Sequence, residues 1–368
     1  MDNKKDFKLN NEIEIRRKKA KIFLIINFVI FLISLALLVG VFYFISKSKN
    51  SSAKVSPIDI SQEESGDTNN IGNYVARKID GVMVPAGEAN SFLMALMIDN
   101  HSDARPPSGL DKAHLVFEAE VEGGITRIMG VFSSGQNLDE MGPIRSARPY
   151  FIDWARELSA LYAHVGGSPD ALVKIQQDKI LDINEFFNGK YFWRDNNKPM
   201  PHNVYTSSEK LEKYLNDKNA DRNRFVPWFF KEDEKFEIRS ESGSIKIDYR
   251  LGMYKVEWKY DQENNNYLRY VAGDPYRSKD GEVVSAKNIL IQVASAIELD
   301  DKLRLEMDKI GYGESWVSMD WKCEPGIWEK KHPSDRTRFY GEDGRDAMFN
   351  AGMTWIQVVR PGIEYSYE

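Results

Sequence analysis

Ile22 to Ile45 is an apolar run interrupted only by Asn27, Ser34 and Gly40. As a helix rising 1.5 Å per residue it covers roughly 36 Å, enough to cross a hydrocarbon core of ~30 Å. It is too long for the apolar part of a cleaved signal, and no small-residue cleavage site follows it. The run predicts a transmembrane helix over 22–45. A polar linker over 46–84 follows, richest in Ser, Lys, Asn, Asp and Glu up to about Asn70. Such a stretch buries too little apolar surface to fold and serves as a flexible tether.

A globular pattern begins at about Pro85. Phe92 to Ile98 is short and apolar, as a buried strand is. Ala113 to Glu122 ends in a strict alternation, with Phe117, Ala119 and Val121 on one face and Glu118, Glu120 and Glu122 on the other. Gly123-Gly124 turns the chain and Arg127 to Phe132 returns, which predicts a hairpin. Ala147 to Leu158 carries Phe151, Trp154, Ala155 and Leu158 on one helical stripe. Leu161 to Val165 is a short strand, and Ser168-Pro169 then caps a helix running to about Gln177. Thr206-Ser207-Ser208-Glu209 fits a capping box opening a helix to about Leu215.

Past Lys218 the pattern becomes strand and turn: Ser244 to Tyr249, Met253 to Lys259, Tyr267 to Val271, Asn288 to Ala294, Ser315 to Trp321 and Thr354 to Val359. The expected fold is an α/β or α+β N-terminal domain over 85–224, followed by a smaller, mostly β domain over 225–368.

Charge orients the anchor. Lys4, Lys5, Lys8, Arg16, Arg17, Lys18, Lys19 and Lys21 precede the apolar run, while only Lys47, Lys49 and Lys54 follow soon after. The positive-inside rule places the basic tail 1–21 in the cytoplasm and the main domain outside the cell membrane, as a single-pass protein. The net charge of −6 gives no reason to expect nucleic acid as a partner. A lone cysteine, Cys323, excludes an internal disulfide framework and a Cys-rich zinc site.

Four clusters carry candidate chemistry. Glu118, Glu120 and Glu122 lie within ~7 Å of their neighbours along a strand face, close enough to hold a cation or raise one pKa for acid work. The plainer reading is a face turned to water. Arg145 and Arg148 sit at the start of a helix and can hold an anion, or pair with those glutamates; Arg127 lies just past the hairpin turn. His164-Val165-Gly166-Gly167-Ser168 joins a strand to a capped helix. Its amide groups can cradle an anion, and Ser168 reads as an N-cap more readily than as a nucleophile activated by His164. Pro201-His202-Asn203 adds an imidazole, with His101 and His114 upstream. No metal-binding spacing appears among these histidines, so no metal and no cofactor are expected.

These positions resemble the YerB-like family, bacterial envelope proteins defined by a domain of unknown function. The likeness runs through Met97-Ile98-Asp99-Asn100-His101-Ser102-Asp103-Ala104-Arg105-Pro106, Glu118 through Arg127, Gly142 through Arg148, His164 through Ser168 and Pro201-His202-Asn203. It continues through Tyr270 to Tyr276, Gly326-Ile327-Trp328 and Thr354 to Val359, covering about residues 90 to 362 in order. Members are described as lipoproteins, yet no cysteine ends this chain's apolar run, so a transmembrane anchor takes the lipid's place. The resemblance implies a two-part extracytoplasmic domain and supplies no activity.

Two functions compete. One is an envelope module binding an anionic cell-wall polymer or a partner protein through Asn100, Arg105, Arg127, Arg145, Arg148, Gly166, Gly167, Ser168 and Asn203. The other is an enzyme acting on such a polymer, with Glu118, Glu122, His164 or His202 as acid and base. A third, plainer reading makes these charges a buried structural network.

Overall fold

The structure is a computed structural model that describes residues 73–220 and 224–368. The basic tail, the expected membrane helix over 22–45 and the first part of the linker lie outside the described residues. No helix among the described residues is long and apolar enough to cross a membrane. The end of the expected linker is folded: Tyr74–Ala76 pairs with Met83–Pro85 as an antiparallel hairpin.

The first strands are β1 (Leu93–Ile98), β2 (Leu115–Glu120), β3 (Thr126–Ser133), β4 (Leu161–His164) and β5 (Asp182–Asn184). Helix α1 (Pro149–Glu157) precedes β4, α2 (Pro169–Gln177) follows it, and α3 (Glu185–Asn188) and α4 (Ser208–Asp217) come after β5. Ser168 caps α2 by accepting from the Ala171 amide at 3.3 Å, and Ser207 caps α4 through the Lys210 amide at 3.3 Å. Both starts follow from a hydroxyl side chain placed before the first turn.

The later strands are β6 (Ser244–Asp248), β7 (Lys255–Asp261), β8 (Asn266–Val271), β9 (Asn288–Val293), β10 (Gly311–Met319), β11 (Lys322–Lys330), β12 (Arg338–Gly341), β13 (Thr354–Val359) and β14 (Glu364–Tyr367). Ten strands form one mixed sheet in the order β12-β11-β10-β9-β13-β2-β3-β1-β4-β5. The sheet crosses the expected boundary at 224/225, because β13 pairs in parallel with β2 in the register Ile356 to Phe117. A second sheet is built from β8, β7, β6 and β14, with Asp274–Pro275 and Ser285–Ala286 on β8. The N-terminal region is therefore mixed α/β and the C-terminal region mostly β.

The large sheet is the middle layer. Ala95, Met97, Phe117, Ala119 and Met129 pack on one side with Tyr150, Phe151 and Trp154 of α1. Leu96, Ile98, Val116 and Ile128 face the other way, toward Ile245, Ile247, Trp258 and Tyr267 of the second sheet. That second sheet corrects the plain reading of the glutamate face. Glu118 and Glu120 do not face water: they are 0% and 1% exposed, because strands more than a hundred residues later cover them.

Strands β9, β13, β2, β1, β4 and β5 all run in one direction, with β3 alone inserted antiparallel between β2 and β1. Their carboxyl ends form one rim. In open sheets with parallel strands, that rim is where ligands bind.

Candidate site at the carboxyl rim of the large sheet

Glu118 lies below the rim in a sealed knot. Its carboxylate accepts from Asn100 Nδ2 at 3.2 Å, Thr126 Oγ1 at 2.8 Å and Trp355 Nε1 at 3.2 Å, and it pairs with Arg269 at 2.8 Å. The Arg269 guanidinium rests over the rings of Trp355, Tyr276 and Trp258 at 4.4, 5.0 and 5.2 Å. Asn100 also accepts from the Tyr276 hydroxyl at 2.9 Å and donates to Thr126 at 2.7 Å. Both residues are thus spent on joining the sheets. Arg105 does the same work: it donates to the Asn100 and Met253 carbonyls and covers Tyr254.

At the rim itself the structure brings together Asp99, Glu122, Arg127, Arg145, Arg148 and His202. Asp99 directly follows β1, and its Oδ2 meets Arg145 Nε at 3.0 Å and His202 Nδ1 at 2.6 Å. Glu122, in the turn after β2, pairs with Arg148. Glu120 is taken by Arg360 in a two-pronged pair at 2.7 and 3.0 Å. Arg127 differs from its neighbours. It is 5% exposed, donates to the Ser146 carbonyl at 2.9 Å, and has no carboxylate within ion-pair distance among the described residues. Burial, and then repulsion from Arg148 and Arg145, push its guanidinium down to about 10, against the pull of Glu122 and Asp99.

Three guanidinium groups therefore share two carboxylates, and the one left over is buried. Arg148 is also the N-cap residue of α1, which has no side-chain cap and opens on Pro149. The positive end of that helix adds to the same field.

The remaining expected residues sit to one side. Gly166 has φ 58°, and an added Cβ would lie 2.7 Å from the Phe186 ring, so glycine is needed there. Its amide donates to Asn184 at 2.9 Å. Gly167 packs against Ala147. His164 uses Nδ1 on the Gly166 carbonyl at 2.7 Å and Nε2 on Asp182 at 3.1 Å, so it does not serve Ser168, whose hydroxyl caps α2. Asn203 turns away from the arginines to accept from Arg194 at 3.1 Å. Cys323 lies on β11 beside the Ser318 hydroxyl, and burial raises its thiol pKa, as befits a structural cysteine.

A cleft of about 700 Å³ lies elsewhere, on the second sheet beside Lys246, Asp248 and Lys255. Lys255 pairs with Asp248 and Lys246 with Glu368, each at 2.7 Å, so its two lysines are paired.

The arrangement can be set beside known proteins. The model described as "Protein of unknown function (DUF3048) N-terminal domain" matches residues 81–221, and its C-terminal counterpart matches 245–356. "Putative lipoprotein YerB" of Bacillus subtilis (strain 168) is 31% identical over an alignment of 279 residues that covers 72% of this chain and 80% of that protein. This chain belongs to the YerB-like family. The crystal structure of YerB from Bacillus subtilis superposes with a TM-score of 0.71 at 29% identity, covering 79% of this chain and 98% of that one. The fold is therefore a family property, and a lipoprotein relative implies a membrane-associated, extracytoplasmic protein.

Asp99 is the rim residue that sequence reasoning left out of the site. Its partners Arg145 and His202 lie far along the chain, and nothing local marks it.

Proposed function

We propose that this chain is an envelope protein, anchored by the helix over 22–45, that binds an anionic cell-wall polymer at the carboxyl rim through Arg127, Arg145 and Arg148. The observation that carries the reading is Arg127, a buried guanidinium with no carboxylate partner among the described residues. A charge kept out of water without a counter-ion is costly, and such sites persist where a ligand supplies that counter-ion. Two further guanidinium groups and the uncapped start of α1 favour phosphate or carboxylate at the same place. The expected sugar-linked anions of a wall polymer carry such groups in repeat, so several weak contacts add along the chain.

Purified protein mixed with isolated cell-wall sacculi should co-sediment, less so as salt is raised. Arg145→Ala with Arg148→Ala should leave it in the supernatant. Equal sedimentation of that double variant would remove the rim from the account.

A further inference from the structure

The rim holds a second cluster beside the arginines, joined to them through Asp99. His202 and His101 stack with ring centroids 4.8 Å apart, and one ligand atom each from His101, Asp103 and His202 lie within 4.8 Å of one another. We propose that these three side chains bind a divalent transition-metal ion of the zinc class, with Asp99 as the group that orients both histidines.

Asp99 carries the argument. It is 3% exposed. Its Oδ2 accepts the Nδ1 proton of His202 at 2.6 Å, which leaves the Nε2 lone pair of His202 free. That nitrogen has no other partner among the described residues. Its Oδ1 accepts the His101 amide at 3.0 Å and so fixes the turn that carries His101 and Asp103. A carboxylate behind a ligating imidazole sets the tautomer, holds the ring and raises its basicity. Here one carboxylate reaches the ring of one histidine and the backbone of the other.

The donor set fits the metal class. Two imidazole nitrogens and one carboxylate oxygen suit zinc and its neighbours, and three protein ligands leave a position for water or a ligand. Metal–ligand bonds of about 2.0–2.2 Å place tetrahedral ligands roughly 3.3 Å apart, so the cluster must close by somewhat more than an ångström. Asp103 and His101 have the freedom to do so, with side chains 60% and 33% exposed. The long contact of His101 Nδ1 with the Asp103 amide, 3.2 Å, is a weak bond to give up. Its ligands are none of the three arginines, so the metal reading can fail or hold apart from the anion reading, although Asp99 is shared with Arg145.

The test is a cobalt titration of the full, untagged chain stripped of metal, read by the visible absorption of the bound ion and by binding stoichiometry. One equivalent should bind, and zinc should displace it. His101→Ala and His202→Ala should each abolish the band, while Asp99→Asn should weaken binding by roughly 10–100-fold. His101→Ala is decisive if His202→Ala disturbs folding, because its ring is part-exposed at the surface. No band, or a band unchanged in His101→Ala, overturns the proposal.

Discussion

Arg269 and Arg127 are both buried, both on strands, and within one network of sheets, yet their surroundings differ in kind. Arg269 faces Glu118 at 2.8 Å and lies on three aromatic rings. Arg127 faces one carbonyl and two other arginines. The first cation has its counter-ion within the fold and ties the two sheets together. The second has no carboxylate within ion-pair distance among the described residues. Residue type and burial are the same in the two cases; only the account of partners separates a structural charge from a binding one.

The contrast can be broken at its strong end first. Arg269→Met leaves Glu118 buried without a cation and should cost about 3–5 kcal/mol, read as a lower urea midpoint. A second closed knot should show itself in acid. Burial raises the pKa of Glu157, but Lys330 at 2.6 Å and Arg336 outweigh it and hold the carboxyl below its usual value of 4.5. A carboxyl lowered by folding contributes stability above its ordinary pKa and loses it as pH falls through the folded value. Melting temperature should therefore drop below about pH 4.5, and Glu157→Gln should melt lower at neutral pH with a flatter acid limb.

Arg127→Met should behave in the opposite way to Arg269→Met. Loss of the bond to Ser146, worth about 1 kcal/mol, is offset by removing an unpaired buried charge, so the urea midpoint should hold or rise. The smallest effect belongs to charge-preserving changes. Arg145→Lys and Arg148→Lys keep the rim's charge but lose the planar fork, and should weaken wall binding only several-fold at low salt, as sedimentation isotherms can show.

The same division explains what the sequence makes legible. The cap at Ser168-Pro169, the hairpin turn at Gly123-Gly124 and the alternation of Phe117 and Ala119 with Glu118 and Glu120 are local, and local geometry fixes them. The fate of the glutamate face is not local. Arg269 stands 151 residues from Glu118 and Trp355 stands 237 away, so the strand's own pattern cannot say what covers it. The strand Lys322–Lys330 is missed because Pro325 and Gly326 interrupt its alternation, although it pairs along its full length with β10. The arginines are legible as an anion-friendly set because three lie within 22 residues. The histidine pair is not, since His202 meets Asp99 across 103 residues with no metal-binding spacing to announce it.

The most direct test compares wild type with Arg127→Met on isolated sacculi before and after their anionic polymers are removed. The account predicts that wild type sediments only with untreated sacculi, and that Arg127→Met stays in solution while as stable as wild type. Sedimentation of the variant equal to wild type, or a large loss of its stability, would contradict the claim that Arg127 waits for an external anion.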